Sequence, residues 1–329
     1  SKKLQIDAIC SCANDFGAIT ASYVSEILDL PGHDKFETTF LLHQKDTFKQ
    51  FAASVNLKTP TATCYNSLNS LLSKNEEYNY PLIVKPVDLT GGKGVAIVDD
   101  AKYLKTAAEK AFSLSRVKRI LIENFIAGNL HSFSTFLLNQ KVVYYYSDNE
   151  YSPCDPFHVT TSISPAYNIN LFRDELIEQI ELIASKLSLV DGIFHLQYIV
   201  NKRDIYIIDI TRRCSGDFYP VPVKYSLDID WTELIIKSES GIKCDNIQTV
   251  KQKGYFGRHC IVAHKDGILN NITITNKLES KIINRFDLVK NGEVIKSNQK
   301  ISILFIKLDF SKELKMMPNL EEYIRLDIN

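Results

Sequence analysis

A chain of 329 residues is long enough for two or three lobes at roughly 100–200 residues per domain. Its 39 basic and 39 acidic side chains cancel, which excludes a nucleic-acid binder that relies on overall basic charge, and 45% apolar with 24% charged residues excludes a disordered chain. No apolar run approaches the ~20 residues of a membrane span, and the seven scattered cysteines fit a reduced, cytoplasmic setting better than a disulfide framework.

The first half alternates short apolar runs with amphipathic stretches, the pattern of an α/β protein. Ile6–Cys10 reads as a strand, and Gly17–Leu28 as a helix stopped by Pro31-Gly32. Asp46–Val55 reads as a second helix with Phe48, Phe51, Ala52 and Val55 on one face, and Leu57–Pro60 as a linker. Pro81–Lys85 is a strand cut off by Pro86 and a glycine-rich loop; Val95–Val98 resumes it, Asp100–Leu114 is helical and Arg119–Glu123 is a strand. Asn139-Gln140 marks a hairpin turn between Ser132–Leu138 and Lys141–Ser147. Asn170–Leu187 is a long amphipathic helix, and Ile193–Val200 and Ile205–Thr211 form a second hairpin around Asn201–Asp204. The last eighty residues give short strands and two helices.

Two local patterns carry chemistry. In Val84–Val95, Lys85 ends a strand and a loop with Gly91, Gly92, Lys93 and Gly94 follows. Glycines let backbone amides approach phosphate oxygens, and the ammonium groups offset charge. A plain glycine turn with surface lysines is equally consistent, and no Gly-Lys-Ser/Thr opens a helix there. In the second hairpin, alternation puts Ile193, His195, Gln197 and Ile199 on one face, and Ile207, Asp209 and Thr211 on one face of the returning strand, with Arg213 beyond. Gln197 and Asp209 then meet across the hairpin, an oxygen set suited to Mg²⁺. A polar, solvent-facing strand surface is the alternative.

Together these motifs make the chain similar to the ATP-grasp superfamily, in the version related to carbamoyl phosphate synthase, biotin carboxylase and phosphoribosylglycinamide synthetase. Ile120–Gly128 resembles the hinge that binds adenine, and Lys45 falls where family members keep a first ATP-binding lysine. The resemblance implies an α+β ATP-grasp fold with a truncated N-terminal α/β segment, a small lid and a larger antiparallel-sheet subdomain. The expected divisions are 1–59, 60–124 (lid), 125–250 (catalytic) and 251–329 (extension).

It also implies an ATP- and Mg²⁺-dependent ligase (Mn²⁺ being an alternative metal) that activates a carboxylate as an acyl phosphate and couples it to an amine or thiol. In that scheme Lys45 and Lys85 grip ATP phosphates under Gly91, Gly92, Lys93 and Gly94, while Glu123, Asn124, Phe125 and Ile126 meet adenine. His131 replaces the usual ribose-binding glutamate; Gln197, Asp209 and Thr211 hold metal; Arg213 steadies the acyl phosphate. Lys85 doubles as a catalytic group, and Arg212 and Asp217 are candidates for substrate contact.

The donor set departs from the family pattern. Asp209 stands for a glutamate and Thr211 for an asparagine, leaving one formal negative charge. A degenerate protein that binds nucleotide or a partner without efficient turnover is therefore the alternative. Ile6–Gly32 resembles only the second half of the domain that usually precedes the lid. Loss of the first strands and a longer gene product both stay open, and the unpaired edge makes a homodimer an expectation. The remaining partners expected are small-molecule carboxylates and amines, with no nucleic acid and no membrane. His158 could meet substrate or be a turn histidine, and Arg258-His259 could bind a carboxylate or be a solvated strand edge.

Overall fold

Asn14 accepts the Gly17 amide and so starts helix α1 (Asp15–Leu28), which Asp29 ends in a left-handed conformation. The computed structural model describes residues 5–74, 77–245, 252–309 and 311–329. Contacts divide the chain into two compact units, each built from separate stretches: Ser1–Tyr145, Asn170–Cys214 and Leu234–Ile247 in the first, and Tyr146–Ile169, Ser215–Glu233 and Gln248–Asn329 in the second. The anticipated boundary at 250/251 lies outside the described residues.

In the first unit α1 is followed by α2 (Phe36–His43) and α3 (Lys45–Ser54). Ile6–Cys10, read as a strand, is irregular backbone; its apolar residues have no partner strand among the described residues. Helix α2 went unseen because its inward side chains, Thr39, Leu42 and His43, form no apolar stripe. A four-stranded antiparallel sheet then forms from β1 (Ala62–Tyr65), β2 (Leu82–Pro86), β3 (Ala96–Val98) and β4 (Ile120–Asn124), in the order β1-β4-β2-β3. Helix α4 (Leu68–Leu72) and helix α5 (Ala101–Leu114), the latter capped by Asp100, complete this region.

The register sorts the faces of that small sheet. Val84 lies opposite Ile122, and these with Leu82 and Ile120 pack on Leu104, Ala108 and Ala111 of α5. Ile83 opposite Glu123, and Lys85 opposite Leu121, occupy the other face. Strand alternation thus aims one lysine and one glutamate away from the core of this sheet.

The hairpin at Asn139-Gln140 connects β5 (Asn129–Leu138) to β6 (Lys141–Tyr151), with both turn residues at positive φ (50° and 64°) as a primed turn requires. After β7 (Thr161–Ser164) and α6 (Ile169–Leu187), β8 (Gly192–Asn201) and β9 (Asp204–Thr211) form the second hairpin, and β5 pairs with β8. In the second unit, α7 (Pro220–Leu227) leads towards α8 (Trp231–Glu239), which begins there. Next come β10 (Tyr255–Val262), β11 (Gly267–Ile274), α9 (Asn276–Glu279), β12 (Ile282–Asp287), β13 (Val294–Ile295), β14 (Lys300–Leu308), a 3₁₀ run at Ser311–Tyr323 and β15 (Ile324–Ile328). Its larger sheet runs β12-β14-β10-β7-β6, and β11 pairs with β13 and β15. Among the described residues no helix is long and apolar enough to cross a membrane, and all seven cysteines are free thiols.

Candidate active site in the first unit

Helix α3 starts at Lys45, and 3.6 residues per turn bring Lys49 to the same face one turn on. Lys45 donates from Nζ to the Leu89 carbonyl at 2.8 Å, at the root of the glycine loop, and its backbone amide donates to Val87 O at 3.3 Å. The same Nζ stands 4.0 Å from Asp209 Oδ2. Lys45 is therefore tied to the loop and to the hairpin at once.

Lys49, unnoticed in the sequence, belongs to the site. Its Nζ lies 3.2 Å from Glu123 Oε1, while Lys85 Nζ lies 2.8 Å from Glu123 Oε2. All three are buried, Lys49 and Lys85 at 7% exposure and Glu123 at 3%. Burial pulls Lys49 down to about 8; Glu123 opposes that shift and Lys85 adds to it. Burial pushes the Glu123 carboxyl up, but Lys85 and Lys49 outweigh it and hold it below the usual glutamate value. The Glu123 side chain thus orients two lysines.

The hinge follows β4. The Asn124 amide donates to Thr61 O and the Phe125 amide to Pro81 O, at 3.0 and 3.2 Å. The Phe125 amide is thus engaged within the protein; the Ile126 amide has no such partner among the described residues. Gly128 lies flush against β8: a Cβ there would stand 2.2 Å from Val200 O and 2.6 Å from Ile199 Cγ2, so only glycine fits.

In the loop, Gly91, Gly92 and Gly94 all have positive φ, from 62° to 76°. Space around a Cβ at Gly91 is open, whereas one at Gly94 would press on Pro86 and Leu114 at 2.9 and 3.0 Å. Gly94 shapes the loop's root, Gly91 keeps its tip slim, and Lys93 is exposed.

On the β8–β9 hairpin, Gln197 pairs with Asp209 and His195 with Thr211, as alternation anticipated. A bulge between Gln197 and Tyr198 admits one extra residue on β9, so Ile207 pairs with Tyr198 on the core face. Ile207 therefore does not share a face with Asp209 and Thr211, and the alternation expected for it is corrected. Thr211 is largely buried, its hydroxyl 3.4 Å from the Arg213 carbonyl, whereas the Asp209 side chain is 39% exposed. Gln197 and Asp209 are the donors that fit a divalent cation whose remaining ligands are waters and phosphate oxygens; Thr211 is a weaker third. Among the described residues no group of three His, Cys, Asp or Glu forms a closed metal cage.

His131 pairs with Tyr198, on the face opposite Gln197, and stacks on its ring at 5.2 Å. At 2% exposure it is buried on the face opposite the Gln197–Asp209 pair. Arg213 forms a two-point pair with Asp15: Nε to Oδ1 at 3.1 Å and Nη2 to Oδ2 at 2.8 Å. His43 Nδ1 donates to Asp15 at 3.0 Å, and His43 Nε2 accepts the Arg212 amide at 3.2 Å, which fixes the neutral tautomer. Burial opposes the charge on Asp15, but His43 and Arg213 hold its carboxyl well below the usual range. Arg212 pairs with Asp34 at 2.7 Å and donates to the Ile193 and Val190 carbonyls, so it braces the fold and is spent for substrate contact.

Asp217 lies in the second unit, bonded to Lys300 at 2.6 Å and to Arg258 at 3.4 Å; burial is offset there by these two cations, which keep its carboxyl low. Arg258-His259 is no solvated edge. It sits on β10 between β7 and β14, with Arg258 5% and His259 1% exposed.

A cationic cluster beside a glycine loop, a hinge strand and a hairpin carrying Gln and Asp in register is the arrangement of ATP-grasp proteins. The profile of the carbamoyl-phosphate synthase L chain ATP-binding domain matches residues 44–219, and the chain belongs to this family. It is 24% identical over 176 residues to the carbamoyl phosphate synthase large chain, C-terminal section, of Aquifex aeolicus, covering 52% of this chain and 32% of that protein. A Vibrio cholerae carbamoyl phosphate synthase large chain matches at 24% over 174 residues, covering 52% of this chain and 16% of its own. The match thus spans a third or less of these relatives. In fold, an L-amino acid ligase from Bacillus licheniformis superposes with a TM-score of 0.85 at 19% identity, covering 100% of this chain and 82% of that one. Biotin carboxylase from Campylobacter jejuni superposes at 0.75 and 16%, covering 99% and 77%.

Proposed function

We propose that the protein is an ATP-dependent carboxylate–amine ligase acting on small molecules in the cytoplasm. The observation that carries this reading is the buried Lys49–Glu123–Lys85 arrangement beside Lys45 and the Gln197–Asp209 pair. Three lysines whose charges one glutamate cannot cancel form a site for a polyanion such as a triphosphate. Glu123 fixes the direction of the Lys85 ammonium, the glycine loop covers phosphates with its amides, and the Ile126 amide is left to meet the base. Mg²⁺ or Mn²⁺ at Gln197 and Asp209 would neutralise phosphate charge. Arg213, held at a fixed angle by Asp15, stabilises charge on the phosphorylated carboxylate. Burial of Lys49, Lys85 and Glu123 limits water on that side of the site, where it would otherwise hydrolyse an acyl phosphate. The related and superposing proteins include an L-amino acid ligase and carbamoyl phosphate synthases, which supports an activated carboxylate as the common chemistry.

The test is calorimetric titration of ATP with and without Mg²⁺, on the parent and on Lys85→Ala. The expected result is Mg²⁺-strengthened binding that weakens by at least about tenfold in the variant, about 1.4 kcal/mol. Equal affinity in the variant would remove Lys85 from the site. Binding indifferent to Mg²⁺ would favour the nucleotide-binding protein without turnover.

A further inference from the structure

Strand β12 ends the larger sheet of the second unit. β14 flanks it on one side, and among the described residues no strand flanks the other. An open edge offers backbone amides and carbonyls to any chain of matching register. Its pairing with β14 says which groups those are. Phe286 stands opposite Ile303 and Asp287 opposite Ser302, and one step on the Leu288 amide donates to Ile301 O at 2.8 Å. Antiparallel hydrogen bonding alternates, so Phe286 also turns its amide and carbonyl to β14, while Arg285 and Asp287 turn theirs outward. The Arg285 amide accordingly donates to Asn284 Oδ1, at 2.8 Å, and not to β14.

The side chains on this edge are sorted by face. Arg285 and Asp287 share one face, with Nε and Oδ1 2.7 Å apart and both side chains reaching solvent. Phe286 lies on the other, stacked on Phe218 with ring centroids 5.0 Å apart and edge-on to Phe305. Phe218, Phe286 and Leu288 are 46%, 38% and 47% exposed, an apolar patch beside the open edge.

A second copy of the strand could pair antiparallel about a two-fold axis at residue 285, 286 or 287. An axis at Arg285 sets that arginine against its own copy, and an axis at Asp287 does the same with two aspartates. Like charges directly opposite are destabilising. An axis at Phe286 sets Arg285 against the partner's Asp287, and Asp287 against the partner's Arg285. The outward residues then exchange amide and carbonyl across the axis, and two ion pairs form. The two Phe286 rings meet at a non-hydrogen-bonded position, where opposed side chains come closest. The register shift between Ile282 and Asn284 interrupts the strand before this stretch, which confines pairing to Asn284–Leu288.

We propose that the Asn284–Leu288 edge is a self-recognition surface, on which a second copy of this chain pairs antiparallel about Phe286 to form an isologous dimer. The proposal stands apart from the ligase reading, since none of these residues belongs to the first unit.

The full chain is followed by sedimentation velocity from about 1 to 200 μM, the range suited to a small, transient interface. The expected result is a concentration-dependent dimer. Arg285→Asp and Asp287→Arg each turn both cross-strand ion pairs into like-charge pairs, and each variant should self-associate at least about tenfold more weakly. The double variant Arg285→Asp/Asp287→Arg keeps the parent's net charge and again opposes arginine to aspartate at both places. It should return to within about threefold of the parent's affinity, a rescue that neither damage to the fold nor a change of net charge would produce. The proposal is overturned if the parent stays monomeric throughout that range, if either single variant dimerises like the parent, or if the double variant is as weak as the singles.

Discussion

The two units bury their cations under opposite rules. In the first, Lys49 and Lys85 share Glu123, and Arg213 is fully forked on Asp15, so the protein supplies a partner for each. In the second, Arg258 is anchored through Nη1 while its buried Nε has no hydrogen-bond partner among the described residues. The first arrangement fixes where charges point and keeps a cationic patch stable in the absence of ligand. The second leaves a buried donor without a partner, which costs stability.

The largest effect should come from breaking the shared counter-ion. Glu123→Gln keeps the shape and leaves two buried ammonium groups uncompensated, with an expected loss of about 3–5 kcal/mol in urea unfolding. Arg258→Lys keeps the Asp217 neighbourhood charged and should cost far less stability. Equal destabilisation by the two would break the contrast between the units.

A smaller effect sharpens the first unit alone. Lys49 is held down to about 8, below the ordinary lysine value of roughly 10.4. Between those values the unfolded chain keeps a proton that the folded chain has released, so stability from this group rises with pH across that window. The penalty is fully present below about pH 8 and is relieved as pH climbs towards 10.4. In urea unfolding from pH 7.5 to 10, the parent should gain on Lys49→Met by up to about 3 kcal/mol. Parallel curves would mean that Lys49 is not a strained cation.

Much of this was legible in the chain. The Asn139-Gln140 and Asn201–Asp204 hairpins announced themselves by turn chemistry between alternating runs, and the Gln197–Asp209 pairing followed from that register. Lys49 was not legible, because a lysine on an amphipathic helix reads as solvent-facing until β4 brings Glu123 over it. The bulge that turns Ile207 inward leaves no mark in composition. Nor does face assignment near the start of β5, where His131 falls on the Tyr198 side. Arg212 and Arg213 are neighbours of identical type. Only the positions of Asp34 and Asp15, almost two hundred residues away in sequence, make one a brace and the other a site residue.

The most direct test of the central claim follows an oxygen atom. The protein is incubated with ATP, Mg²⁺ and a mixture of L-amino acids carrying ¹⁸O in their carboxyl groups, and the released phosphate is analysed by mass spectrometry. Activation as an acyl phosphate predicts ADP release with ¹⁸O transferred from carboxyl to phosphate. Unlabelled phosphate, or AMP with pyrophosphate, would contradict it.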